Sequence, residues 1–83
     1  MNHSKKKIER VQTGIRVEKR ILKVLKALAD YLDLTLGDLV EGLVLHAFEG
    51  QAPFSPQTLA KINMLREAFD LDLTAADSHR LSE

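Results

Sequence analysis

Residues 11–17 are the longest part of this chain in which side chains alternate in character, and this segment limits the fold more than any other feature. One side would carry Val11, Thr13, Ile15 and Val17, and the other side Gln12, Gly14 and Arg16. A period of two predicts a half-buried β-strand. Because an unpaired strand leaves its backbone N–H and C=O groups open, we expect it to pair with its own copy as an antiparallel ribbon across a dimer two-fold.

After Glu18 the spacing of apolar residues becomes helical. A first helix is predicted over residues 21–32, where apolar side chains recur on one broad face. A second is predicted over residues 36–48, with Thr35 as its N-cap and Gly50 as its C-cap. These are the two expected core helices.

Helix signals continue in the last two fifths of the chain. Ser55-Pro56 places an N-cap before a proline at the first helical position, and a third helix is predicted from there to about residue 69. Residues 71–77 then match residues 32–38 at five of seven positions. The flanking residues differ, so we interpret the match as one turn-and-cap solution used twice rather than as a duplicated unit. It predicts a short helical turn after Thr74.

The distribution of charge points to a polyanionic partner. Residues 1–26 hold nine Lys or Arg against two Glu, a net charge of +7, and residues 27–83 carry −7, so the whole chain is neutral. Such asymmetry favours a polyanion at one end of the molecule. Lys19 and Lys23 lie near the start of the first helix, where the macrodipole disfavours cations and a bound phosphate backbone would relieve the conflict. The alternative is a solvated helix face.

Composition and missing motifs exclude several classes of protein. The absence of cysteine removes disulfides, thiolate metal sites and cysteine nucleophiles. No signal-peptide pattern occurs, and no apolar run approaches the ~20 residues of a membrane span, so we expect a cytoplasmic protein without a membrane partner. The chain has no nucleophile with a base, no phosphate-binding loop and no metalloprotease motif. Nothing in the sequence fixes the geometry of Asp72, Asp77 and His79. We expect no enzymatic activity, no cofactor and no metal.

The predicted ribbon suits double-stranded DNA. A two-stranded ribbon fits the major groove, where Arg bonds guanine and Gln bonds adenine. Gln12 and Arg16 would then read bases, unless they are only solvated strand residues. Phosphate contacts are expected from the basic side chains Lys5, Lys6, Lys7, Arg10, Lys19 and Lys23. Our hypothesis for the biological role is transcriptional repression by occupying an operator.

A short basic strand, a helix, a turn and a Thr-capped helix follow one another here, and this order resembles the ribbon-helix-helix family of dimeric DNA-binding proteins. The resemblance covers residues 10–50. It is carried by residues 12–17 for the ribbon, 21–32 for the first helix, and 34–40 for the turn and second helix. It implies a mainly α fold with one N-terminal strand per chain, two core helices and a C-terminal helical extension.

The resemblance also assigns roles to individual residues. It implies that Gln12, Gly14 and Arg16 face the bases, and that Thr35 and Leu36 hold a phosphate through backbone N–H groups at a helix N-terminus. Two positions depart from the family pattern. Gly14 stands where the family usually has a polar reading side chain, and Asp33, with Asp38, adds negative charge near the proposed phosphate site.

The expected organisation is a basic mobile arm at residues 1–9, a dimerisation and DNA-binding unit at residues 10–50, and an acidic helical extension at residues 51–83. The predicted dimer core consists of Val11, Thr13, Ile15, Val17, Leu25, Leu28, Leu39, Gly42 and Leu43. Gly42 is included because a glycine inside a helix costs about 1 kcal/mol relative to Ala and therefore favours a close crossing of two second helices.

Two other interpretations stay open at this point. The chain could be a protein-interaction module, either an antitoxin-like partner binder or a ribbon-helix-helix fold without DNA recognition. Gly14 and the acidic residues 51–83, which could bind a protein partner, favour that interpretation. The chain could also be a monomeric helix-turn-helix protein if residues 11–17 are only an extended leader.

Overall fold

The structure, a computed structural model, describes residues 6–81, which contain three α-helices and one short 3₁₀ turn. The helices are α1 (Lys19–Tyr31), α2 (Leu36–Phe48) and α3 (Pro56–Ala68), and the 3₁₀ turn is Ala75–Asp77. The three predicted helices and the final helical turn are confirmed, with α1 starting two residues before its predicted start. No helix in the described residues combines the length and the apolar character needed to cross a bilayer.

The predicted β-strand is wrong. Residues 11–17 have irregular backbone, and no residue from 6 to 81 belongs to a strand, so the ribbon and the ribbon-helix-helix architecture are absent from this part of the chain. A strand exists only where another segment exchanges N–H···O=C bonds with it, and no segment of residues 6–81 does so. Val11 and Ile15, expected in the dimer core, are 86% and 75% exposed. The alternation therefore marked a segment with an apolar side, not a hydrogen-bonded strand.

The start of α1 depends on Glu18, a residue type that is not a preferred N-cap. Its Oε1 accepts hydrogen bonds from the backbone N–H groups of Arg20 at 2.8 Å and Ile21 at 3.0 Å. These are two of the four donors that a helix N-terminus leaves without intrahelical partners. Glu18 also brings a negative charge to the positive end of the helix dipole, which partly offsets the cations of the first turns.

The core is small and centres on α1. Leu28, Ala29 and Leu39 are each 3% exposed and form one cluster, to which Leu25, Leu32, Leu43, Phe54, Ile62 and Leu65 add half-buried side chains. Helix α1 contacts both α2 and α3. The C-terminal helix therefore contributes to the same core as the first two helices, through Ile62 and Leu65.

Local signals set the helix ends. The Thr35 hydroxyl accepts the Asp38 N–H at 3.1 Å, and the Ser55 hydroxyl accepts the Thr58 N–H at 3.2 Å, so both predicted N-caps are confirmed. Gly50, with φ of +68°, closes α2 in the left-handed conformation that glycine adopts without strain.

The two copies of the repeated sequence, residues 32–38 and 71–77, share the helix cap in structure but not the position of the left-handed residue. In the first copy Asp33 takes the left-handed conformation after α1, with φ of 59°. After α3 that role falls to Asp70, with φ of 54°, two residues before Asp72, which corresponds to Asp33 in the alignment of the two copies. The caps correspond, because Thr74 precedes its helical turn as Thr35 precedes α2.

Candidate nucleic-acid interface

The outer side of α1 carries a row of three cations, and the exposed Asp30 follows it one turn later. Lys19, Lys23 and Lys26 are exposed and lie four and three residues apart, which places them on one side of the helix. We call these three residues the lysine stripe. None of the ion pairs found in residues 6–81 involves them. The stripe spans about 10 Å at 1.5 Å per residue, a length that faces about three successive phosphates of one DNA strand.

The backbone before α1 adds further predicted contacts. Lys6 and Lys7 are exposed, and Lys5 lies outside the described residues. Gln12, Gly14 and Arg16 are exposed as well. Their base-reading role stays a prediction, but the ribbon that was to present them is absent from residues 6–81.

Arg10, predicted to bind phosphate, is engaged with carboxylates of α2. Its Nε donates to Glu41 Oε2 and its Nη2 to Glu41 Oε1, both at 3.0 Å, and Nη2 lies 3.9 Å from Asp38 Oδ1. The hydrogen bond from Arg10 lowers the pKa of Glu41 below its ordinary value. The negative charge that Asp38 adds near the start of α2 is thus partly offset by a cation from 28 residues earlier.

Arg20 is a cation of the first turn that points away from the lysine stripe. Its Nε donates to Glu18 Oε2 at 3.1 Å, and its Nη1 donates to the Asp70 carbonyl at 3.0 Å and to Asp72 Oδ1 at 3.1 Å. The side chain therefore joins the start of α1 to the turn after α3. Desolvation works to raise the pKa of Glu18, but the hydrogen bonds from Ile21 and Arg20 outweigh it and leave that pKa lowered.

The start of α2 lies between two grooves that include the preceding irregular segment. Thr35 lines one groove together with Arg10 and Glu41. Leu36, the first residue of α2, lines the other, which is bordered by residues 13–17 and by apolar side chains of α1. The phosphate-holding role of Thr35 and Leu36 stays a prediction. The hydroxyl of Thr35 is already used in capping α2.

Helix α2 is apolar on more sides than the core covers. Val40, Val44 and Phe48 recur at every fourth residue and are 37%, 39% and 80% exposed. We call these three side chains the exposed face of α2. Val40 continues into the groove lined by residues 13–17, so the exposed face and that groove form one apolar surface. A helix that is apolar on several sides is normally buried on several sides.

Gly42 lies away from the exposed face. Two residues along a helix correspond to about 200°, so Gly42 points to nearly the opposite side from Val40. It lines a cleft with Phe54 and Thr58, and a Cβ added to it would meet no atom within 4 Å. The His46 Nδ1 approaches the Gly42 carbonyl at 2.7 Å, a contact in which the ring nitrogen must donate. The predicted crossing of helices at Gly42 is therefore a separate hypothesis from docking on the exposed face.

Predicted dimer-core residues divide into two groups. Leu28 and Leu39 are buried and Leu25 and Leu43 pack against them, all within one chain. The N-terminal members are exposed: Val11, Thr13, Ile15 and Val17.

The C-terminal segment uses most of its apolar side internally. Ile62 and Leu65 pack on the core, Phe69 is half-buried, and Leu59 is 48% exposed. That residues 51–83 bind a protein partner stays a prediction, and the apolar surface that this segment leaves open to a partner is smaller than expected. Among residues 6–81, no three His, Asp or Glu side chains are grouped so that they could hold a metal ion.

Sequence reasoning missed three features of this surface. Lys26 was expected on the outer side of the first helix but was not predicted as a phosphate contact, although it lies seven residues after Lys19. The pairing of Arg10 with Glu41 had no local signal, because 31 residues separate them. The contact between Arg20 and Asp72 had no local signal either, because 52 residues separate them. Comparisons with family models, curated proteins and solved structures found no match to this chain.

Proposed function

We propose that this chain is a homodimeric, DNA-binding transcriptional repressor of the cytoplasm that holds the phosphate backbone with the lysine stripe and the basic residues before it. One observation carries the proposal. Lys19, Lys23 and Lys26 are exposed on one side of a helix and belong to no ion pair found in residues 6–81, while Arg20, between them, is neutralised by Glu18 and Asp72. Cations so displayed attract a polyanion, because binding releases its condensed counterions.

The exposed face of α2 supports the dimer. An 83-residue chain that buries few side chains completely has a marginal core. A second copy that covers Val40, Val44 and Phe48 would extend it. Zero net charge removes overall repulsion between two copies. Two lysine stripes related by a two-fold would double the cations available to one duplex.

A salt titration tests DNA binding. The three stripe lysines of each chain would let a dimer neutralise about six phosphates, so log K against log salt concentration should fall with a slope of about −5, or more steeply if the basic residues before the stripe also contact phosphates. Fluorescence anisotropy of a mixed-sequence duplex measures K between about 50 and 200 mM salt.

Two matched variants locate the contact. Lys23→Gln should reduce the slope by about 2 per dimer, because each chain loses one phosphate contact. Lys61→Gln makes the same charge change outside the stripe and should leave the slope unchanged. Lys61 lies on α3, with its Nζ 5.0 Å from the centroid of the Tyr31 ring. Absence of binding at low salt rejects DNA binding, and equal effects of the two variants reject the lysine stripe as its site.

A further inference from the structure

Arg10 is held at the start of α2 by a two-pronged contact. Both hydrogen bonds to the Glu41 carboxylate are 3.0 Å long, and Asp38 stands 3.9 Å from the same guanidinium. The side chains are exposed, 63% for Arg10 and 47% for Glu41, so the pair is open to exchange with ions from solution. This contact joins the irregular N-terminal segment to α2 and closes one side of the groove that Thr35 lines.

A DNA phosphate would compete with Glu41 for the same cation. Arg binds carboxylate and phosphate with the same fork of parallel N–H groups. In the structure that fork, Nε with Nη2, is given to Glu41. One edge of a guanidinium cannot serve both anions in this way at once. Glu41 therefore occupies one of the two edges of the Arg10 guanidinium and offsets its charge, and a phosphate on the other edge would lie close to the negative charges of Glu41 and Asp38.

We propose that Glu41, with Asp38 beside it, competes with DNA phosphate for Arg10. Glu41 holds Arg10 in the free protein and releases it when a phosphate binds. The inference rests on the proposed function and adds a control on its affinity. The hydrogen bond from Arg10 lowers the pKa of Glu41, so the competitor is charged at neutral pH. The affinity for DNA is then lower than it would be if Arg10 were unpaired, and it depends on the negative charges of Glu41 and Asp38.

The test compares two substitutions of the same charge. Glu41→Gln removes the competitor, and Glu9→Gln removes one negative charge beside Arg10 without touching the ion pair. In the dimer, Glu41→Gln should raise affinity for a mixed-sequence duplex by about 2- to 30-fold, the range expected for releasing two exposed ion pairs, and by more than Glu9→Gln does. Its salt slope should steepen by about 2, because two further phosphates are contacted.

Arg10→Gln completes the cycle. Without Arg10 there is nothing to release, so adding Glu41→Gln to Arg10→Gln should raise affinity no more than Glu9→Gln does. Circular dichroism confirms that each variant is folded. If the wild type binds and Glu41→Gln equals Glu9→Gln in affinity and slope, the competitor is rejected while DNA binding stands. If no variant binds DNA at low salt, both the proposed function and the competitor are rejected.

Discussion

Truncating Phe48 should separate the two copies of the proposed dimer. Phe48 is 80% exposed at the end of the exposed face of α2, although phenylalanine is usually buried. Of a phenylalanine surface of about 200 Å², roughly 160 Å² is open, and at about 25 cal/mol per Å² its complete burial is worth about 4 kcal/mol. If a second copy covers half of that area, Phe48→Ala costs about 2 kcal/mol per chain and about 4 kcal/mol per dimer, which raises the dimer Kd about 1,000-fold.

Sedimentation equilibrium across a range of concentrations measures this Kd. Met64→Ala is the matched control, because Met64 is 63% exposed but lies on α3, outside the exposed face of α2. We expect Met64→Ala to leave the dimer Kd unchanged. A wild-type mass equal to one chain at every concentration would refute the reasoning, and so would a Phe48→Ala dimer as tight as the wild type.

Four further substitutions or titrations follow from the structure. Leu28→Ala should lower the free energy of unfolding by about 2 to 5 kcal/mol, measured by urea titration, because it leaves a cavity among buried side chains. Thr35→Ala should cost about 1 kcal/mol by the same assay, since the Asp38 N–H loses its cap, and Thr35→Ser should retain most of that stability. Gly42→Ala should stabilise the chain by up to about 1 kcal/mol, because its Cβ meets no atom within 4 Å; a loss of stability would instead support a helix crossing at Gly42. The pKa of Glu18 is lowered in the folded chain, so its contribution to stability is present above its unfolded value of about 4.3 and is lost as the pH falls through the folded value. Melting temperatures from pH 7 to pH 3 should therefore fall less steeply for Glu18→Gln than for the wild type.

The helices were predictable because their signals are local. A hydroxyl at Thr35 or Ser55 reaches an N–H three residues ahead, and Gly50 needs no partner to adopt a positive φ. Such interactions form within one turn of the chain, so both partners lie within a few residues of each other in the sequence. The left-handed conformation of Asp70 was not predicted.

The strand failed for the opposite reason. Alternation in residues 11–17 describes which side of the segment is apolar, but a strand exists only when another segment receives its hydrogen bonds. The described residues of the chain hold no such segment. An apolar side is a property of the segment itself, whereas pairing is a property of its surroundings.

The candidate interface shows the same division between local and distant information. The sequence by itself determined that the cations gather in residues 1–26 and that Lys19, Lys23 and Lys26 share a side of one helix, since helical spacing is regular. Only the tertiary structure decided which cations stay available. Arg10 meets Glu41 and Arg20 meets Asp72 across 31 and 52 residues, distances over which folding, not spacing, brings opposite charges within hydrogen-bonding range.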